Sequence, residues 1–173
     1  MTEQILDPGI RGWDALEMLR KHTGRTGSAA HRSYFSAMVH LREQLLGEVW
    51  SAEACVAEGM QYFMQGDVER ALEDLRRALL IGTPDRDVLF FMGSAWYRLG
   101  EYDRAEWMLS AYIADRPGDA RGHFMISLVY RRLDRWEEAT EALRKTVELD
   151  PSHAEACFNL ACAESLRGDE ASK

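Results

Sequence analysis

The chain has 173 residues, which points to one domain, and its 46% apolar content is too high for a disordered chain. Its net charge of -8 argues against a nucleic-acid partner and against anionic membrane surfaces, since both call for positive charge. Every apolar run is broken by charges well short of a membrane span, so no membrane partner is expected.

The start, Met1 to Asp7, lacks the basic residues and apolar stretch of a signal peptide, and a cytoplasmic location is expected. Residues 1–10 read as loose, with a turn signal at Asp7-Pro8-Gly9. Arg11 to His22 reads as a short helix, with Trp13, Leu16 and Leu19 on one side. Thr23 to Ser28 has the composition of a flexible linker. His31 to Val49 reads as a longer helix, with Tyr34, Met38, Leu41, Leu45 and Val49 as an apolar stripe. Residues 1–51 carry six acidic and six basic side chains, which leaves 23 acidic and 15 basic ones, and the whole net charge, to the rest.

Beyond that point the helix-length runs are 52–64, 68–81, 86–98, 102–114, 120–132, 136–148 and 154–166. Their spacing is periodic: Gly66-Asp67 returns after 34 residues as Gly100-Glu101, then as Asp134-Arg135, then as Gly168-Asp169. Five residues past the first three sites stand Ala71, Ala105 and Ala139, and four further on Leu75, Leu109 and Leu143. Seven residues before each site is a small residue: Gly59, Gly93, Ser127 and Ala161. A strict period of this length means a stacked array of one supersecondary unit. The short turn makes that unit a helical hairpin. The small residues let two backbones approach, and the leucines fill the space between helix pairs. Thr83-Pro84-Asp85, Arg116-Pro117-Gly118-Asp119 and Asp150-Pro151-Ser152 separate the units, since proline stops one helix and Asp or Ser caps the next. Ala37 and Leu41 fall one period before Ala71 and Leu75, but no first helix in register precedes them. Residues 31–49 therefore read as a degenerate second helix that covers the first unit, as terminal units of such arrays are atypical. The expected division is an N-terminal helical extension or cap at 1–50 and an array at 51–173, with repeats at 52–85, 86–119 and 120–153 and a half repeat at 154–173.

These residues resemble the tetratricopeptide repeat family. Counted from Ala52, Arg86 and Ala120, the small eighth position is Gly59, Gly93 and Ser127, and the aromatic eleventh is Tyr62, Trp96 and Tyr130. The alanine at twenty is Ala71, Ala105 and Ala139, and the proline at thirty-two is Pro117 and Pro151, with Thr83 in the first copy. The fourth position departs, as Cys55, Leu89 and His123, and the small twenty-seventh position is Ala78 but then Tyr112 and Thr146. Those two larger residues imply locally wider helix packing. The resemblance implies an all-α, right-handed solenoid of helical hairpins with the N-terminal helical extension, and a protein–protein interaction role as scaffold or adaptor.

No catalytic residues, metal site or cofactor are expected, and the chain does not read as an enzyme. Among His22, His31, His40, His123 and His153 there is no HExxH, and His123 sits at a packing position of the repeat. Arg131-Arg132 and Glu137-Glu138 read as solvated helix surface, and the glycines stand at turns or helix contacts rather than in a phosphate loop. Cys55, Cys157 and Cys162 include no CxxC pair, so zinc does not follow; Cys55 and Cys157 hold the same repeat position three repeats apart and Cys157 and Cys162 point in different directions from one helix, so no disulfide follows, and all three read as packing thiols.

In the family, ligands lie along the concave surface made by the first helices, at positions two, five, nine and twelve or thirteen, which share one helix face. Here that implies a partner-binding groove of Val56, Met60, Phe63, Phe90, Phe91, Tyr97, Arg98, Phe124, Met125, Leu128, Arg131, Arg132 and Phe158. Phe91 and Met125 are divided evenly between groove and inter-repeat core. Members that clamp a chaperone's terminal carboxylate carry Lys at five and Asn at nine. This chain has Val or Phe at five and Met, Ser or Leu at nine, so a heat-shock tail is not the expected ligand. A row of aromatic and methionine side chains suits an apolar or amphipathic protein or peptide segment instead. In layout the chain also looks like the type III secretion chaperones for hydrophobic translocators, which would make it a dedicated chaperone of an apolar client. The Trp13-Leu16-Leu19 helix either packs on the end cap or folds back to mask the groove. On the closing helix, Cys157, Phe158, Leu160, Cys162 and Leu166 span more than one face. Either that extra face serves self-association, as in a homodimer, or the polar tail is sufficient cover.

Overall fold

The computed structural model describes residues 51–83 and 85–171, with side chains described as far as residue 165. The helices expected at 11–22 and 31–49, and with them the N-terminal extension and its linker, lie outside the described residues. Seven helices follow one another: α1 (Ala52–Gln65), α2 (Val68–Ile81), α3 (Val88–Arg98), α4 (Tyr102–Asp115), α5 (Ala120–Arg132), α6 (Trp136–Leu149) and α7 (Ala154–Ala171). No strand occurs among the described residues.

Local chemistry sets the boundaries. Ser51 caps α1 by accepting from the Ala54 amide at 3.3 Å, and Asp67 caps α2 by accepting from Arg70 at 3.3 Å. Asp119 caps α5 through the Arg121 amide at 3.0 Å. Inside each hairpin the turn is the same. Gly66, Gly100 and Asp134 adopt positive φ of 87°, 79° and 57°, in register with the 34-residue period. The following amide donates back to the carbonyl five residues earlier: Asp67 to Tyr62 at 3.0 Å, Glu101 to Trp96 at 3.0 Å and Arg135 to Tyr130 at 2.9 Å. Left-handed backbone is where glycine has no steric cost, and Asp134 tolerates it as a short polar residue. Helix α3 starts at Val88, two residues later than the periodicity places it. There the Thr83 hydroxyl accepts from the Asp85 amide and the Asp85 carboxylate from the Asp87 amide, which ties Asp85 to Thr83 and Asp87 to Asp85 ahead of the helix.

Each hairpin closes on its small residue. A Cβ on Gly59 would stand 2.8 Å from Leu75 Cγ, and one on Gly93 would stand 2.6 Å from Leu109 Cγ. Ser127 holds that place in the third hairpin and donates its hydroxyl back to the Phe124 carbonyl at 2.6 Å. Leu75, Leu109 and Leu143 are buried as the repeat requires. Replacing Gly93 with alanine is expected to lower stability by about 1–2 kcal/mol: overpacking costs about 1–3 kcal/mol, and the better helix propensity of alanine returns up to about 1 kcal/mol. A thermal melt checks this, and an unchanged midpoint would mean that Leu109 can yield.

The large residue at Tyr112 does not act as its volume alone suggests. Opposite it stands Gly122, whose Cβ would lie 2.9 Å from the tyrosine ring, so a glycine on the next helix takes up the bulk. Successive helices pack as antiparallel hairpins, and each second helix also packs on the next first helix. First helices of neighbouring repeats also meet one another, α1 with α3 and α3 with α5. The array is thus an all-α helical repeat solenoid.

Its last helix corrects an expectation. The spacing predicts an end near residue 166, before a turn at Gly168-Asp169, yet α7 runs on to Ala171 with Gly168 inside it. The other turns rest on a glycine or aspartate at positive φ, and Gly168 keeps helical backbone.

Candidate partner-binding groove

Helices α1, α3 and α5 carry most of the predicted groove residues, and they divide into three kinds. Val56 and Phe63 are core residues, 4% and 8% exposed, so they form a floor rather than an open surface. Met60, Phe90, Phe91, Tyr97, Phe124, Met125 and Leu128 are half-buried. Arg98, Arg131 and Arg132 are exposed in the last turns of α3 and α5, and Phe158 on α7 is 69% exposed.

The aromatic rings run together through the middle of the array. Phe63 meets Phe91 edge-on with centroids 5.6 Å apart, Phe91 meets Phe90 at 5.5 Å, and Phe90 meets Tyr112 at 5.5 Å. Phe90 and Phe91 both pack on the core of the first two hairpins, and Phe90 also on that of the third. Phe124 stands apart, tilted over the His153 ring at 4.4 Å. Arg98 lies 3.9 Å over the Phe63 ring and donates to the Phe63 carbonyl at 3.0 Å. It therefore ties α3 to the C-terminal end of α1. Arg132 donates to the Tyr97 hydroxyl at 3.4 Å, one repeat away.

Sequence reasoning missed two features here. Ser94, at the ninth position between the predicted residues, is 4% exposed, and its Oγ has no hydrogen-bond partner. The second is a polar network at the junction of the second and third hairpins. The Tyr112 hydroxyl donates to Asp119 Oδ2 at 2.6 Å and accepts from Arg121 Nη2 at 3.0 Å. Arg121 Nη2 also donates to Asp119 at 2.8 Å, and Arg116 Nη1 to Asp87 at 2.6 Å. The Arg121 hydrogen bond, above all, holds the Asp119 carboxyl down at about 2. Burial first, and then the bond to Asp119, pushes the Tyr112 phenol up to about 12. Asp87 and Arg121 both occupy the second position of their repeats, and that spacing of 34 residues was the available signal.

His123 is half-buried with Nε2 2.9 Å from the Pro117 carbonyl, which suits a packing role. Cys55 is buried and its thiol is pushed up by that burial, whereas Cys162 is exposed, so it is not a packing thiol. A shallow cleft of about 570 Å³ lies between α4, α5 and α6, floored by Ile113, Ile126 and Ala142. The charges at its rim are paired, Glu138 with Arg135, Glu141 with Arg144 and Lys145 with Glu148. No described helix is long and apolar enough to cross a membrane.

Residues 56–121 match the tetratricopeptide repeat family, and residues 120–153 match it again. Human RanBP2-like and GRIP domain-containing protein 3 is 32% identical over 72 residues, 42% of this chain and 4% of that protein. Human E3 SUMO-protein ligase RanBP2 is 28% identical over 72 residues, 2% of its length. The chain thus spans only a few per cent of these relatives. Among solved structures, MamA from Desulfovibrio magneticus RS-1 superposes with a TM-score of 0.65 at 24% identity, covering 92% of this chain and 89% of that one. The first repeat domain of Spaghetti (RPAP3), bound to the HSP90 peptide SRMEEVD, gives 0.63 at 21% identity over 68% of this chain and 93% of that one. Two consecutive family matches, on the hairpins and turns described above, show that the chain belongs to the tetratricopeptide repeat family.

Proposed function

We propose that this interaction module is non-catalytic and takes an apolar or amphipathic partner segment, flanked by acidic residues, along the first helices α1, α3 and α5. The observation that carries the reading is the pairing of half-exposed apolar side chains, Met60, Phe124 and Leu128, with the exposed Arg98, Arg131 and Arg132 at the helix ends. Apolar anchors supply affinity, and the arginines set the charge that the partner must bring. In a chain of net charge -8 such a basic edge discriminates against positively charged partners. Two repeat domains of similar fold are described with peptides bound, the RPAP3 domains with HSP90 and HSP70 peptides, both rich in acidic residues. The family's carboxylate clamp is lacking here, which favours an internal segment over a chain terminus.

The test is affinity capture from the native cell, identification of the bound protein and titration of its segment. The variant Arg131→Glu with Arg132→Glu is expected to weaken binding by about tenfold at low salt, with the difference shrinking as salt rises. Equal affinity at every salt concentration would remove the basic edge from the site.

A further inference from the structure

The two ends of the array are unequal, and they complement each other. At the C-terminal end α7 occupies the place of a first helix. Ala161 is the fourth copy of the small position, which in the first two hairpins is covered by the leucine sixteen residues later, Leu75 over Gly59 and Leu109 over Gly93. On α7 the same position is bare. Ala161, Cys162 and Ser165 are exposed, and Phe158 is the most exposed ring among the described aromatics, while Glu164 is paired with Arg144 on α6. The helix also continues through Gly168-Asp169, so the chain makes no turn there to fold a second helix back over that face.

The sequence before Ser51 carries the missing half. Ala37 and Leu41 repeat the Ala71–Leu75, Ala105–Leu109 and Ala139–Leu143 pattern one period earlier. The positions that would make their first helix are Arg25 and Ser28, inside the Thr23–Ser28 linker composition, where the repeat needs a small and an aromatic residue. Among the described residues, α7 thus shows a first-helix face on which no second helix lies, and the sequence before Ser51 shows a second-helix pattern without a first.

We infer that the bare face of α7 docks residues 31–49 of a second copy, with Leu41 over Ala161 as Leu75 lies over Gly59. The period fixes this register, because Leu41 stands four periods before the position sixteen residues past Ala161. Charge favours this occupant over a second α7. The array carries the whole -8, so two arrays meeting face to face repel, whereas residues 1–51 carry six charges of each sign. The contact joins unlike surfaces, so each copy keeps one free end of each kind and copies add head to tail. Each junction completes a repeat, and the row of first helices continues from one copy into the next.

Sedimentation velocity on the full chain over a range of concentrations is the test. The average mass of the wild type is expected to climb past the dimer. The variant Phe158→Asp with Ala161→Arg blocks α7, and Leu41→Asp with Leu45→Asp blocks the other end. Each alone is expected to be monomeric, and an equal mixture is expected to form dimers that grow no further. If the Leu41 variant does not fold by circular dichroism, the α7 variant serves as a chain terminator: in excess it is expected to bring the wild-type mass down towards the dimer. A wild type that stays monomeric overturns the inference. So does a Leu41 variant that pairs alone, or a wild-type mass that added α7 variant leaves unchanged, since both indicate α7 pairing with α7.

Discussion

Replacing Tyr112 with alanine will lower stability by about 3–5 kcal/mol, the range for removing a fully buried aromatic side chain. Tyr112 is 1% exposed and is held from three sides. Its ring fills the space left by Gly122, which has no side chain to move into the void, and it packs on Phe90 at 5.5 Å. Its hydroxyl joins Asp119 and Arg121 at the junction between repeats. Tyr112→Phe separates these roles. It keeps the ring and leaves Asp119 with Arg121, so the expected loss is about 1–2 kcal/mol. The pH dependence gives a second readout. Asp119 is held down at about 2, so its contribution is present above the ordinary carboxylate range and is lost as pH falls towards 2. Tyr112 is pushed up to about 12, so its contribution is complete below the ordinary tyrosine range and is lost as pH rises from about 10 to about 12. Urea titrations across both windows check this: the alkaline loss should be smaller in Tyr112→Phe, and the acid loss should remain. An alanine variant as stable as the wild type would mean that the junction repacks without the ring.

What the sequence disclosed depended on whether the determinant was local and repeated. The hairpin turns at Gly66, Gly100 and Asp134 and the small position at Gly59 were legible, because each is a short-range requirement that the period restates, whereas Leu75 packs against Gly59 inside the hairpin rather than between helix pairs. Tyr112 was legible as an anomaly but not in its consequence. Its partner Gly122 is on the next helix, and a period compares like positions rather than facing ones. The run of α7 through Gly168 was hidden for a related reason: a glycine permits a turn without imposing one. Side-chain class did not separate floor from surface in the groove. Val56 and Phe63 share their helix face with Met60, but core contacts reach them, and exposure depends on neighbours that no single helix specifies.

That distinction decides how the groove should be tested. Phe90 and Phe124 look equivalent in the sequence, one period apart at the fifth position of their repeats. In the structure Phe90 touches Phe91 and Tyr112, lies under Arg121 at 5.2 Å, and packs on the cores of adjacent hairpins. An aspartate there would bury a charge among rings, so Phe90→Asp is expected to unfold the array rather than report on binding. Phe124 and Leu128 are four residues apart on one face of α5 and half-exposed, and the Phe124 ring lies against the His153 ring. The variant Phe124→Asp with Leu128→Asp should therefore keep its helical circular dichroism and cooperative melt. Each anchor contributes about 1.5–3 kcal/mol when covered by a partner. Together they exceed the roughly 2.7 kcal/mol that corresponds to a hundredfold change, so the captured partner segment should bind more than a hundredfold more weakly. Unfolding of this variant would assign the two side chains to the core. Unchanged affinity in a folded variant would place the partner on another surface of the solenoid.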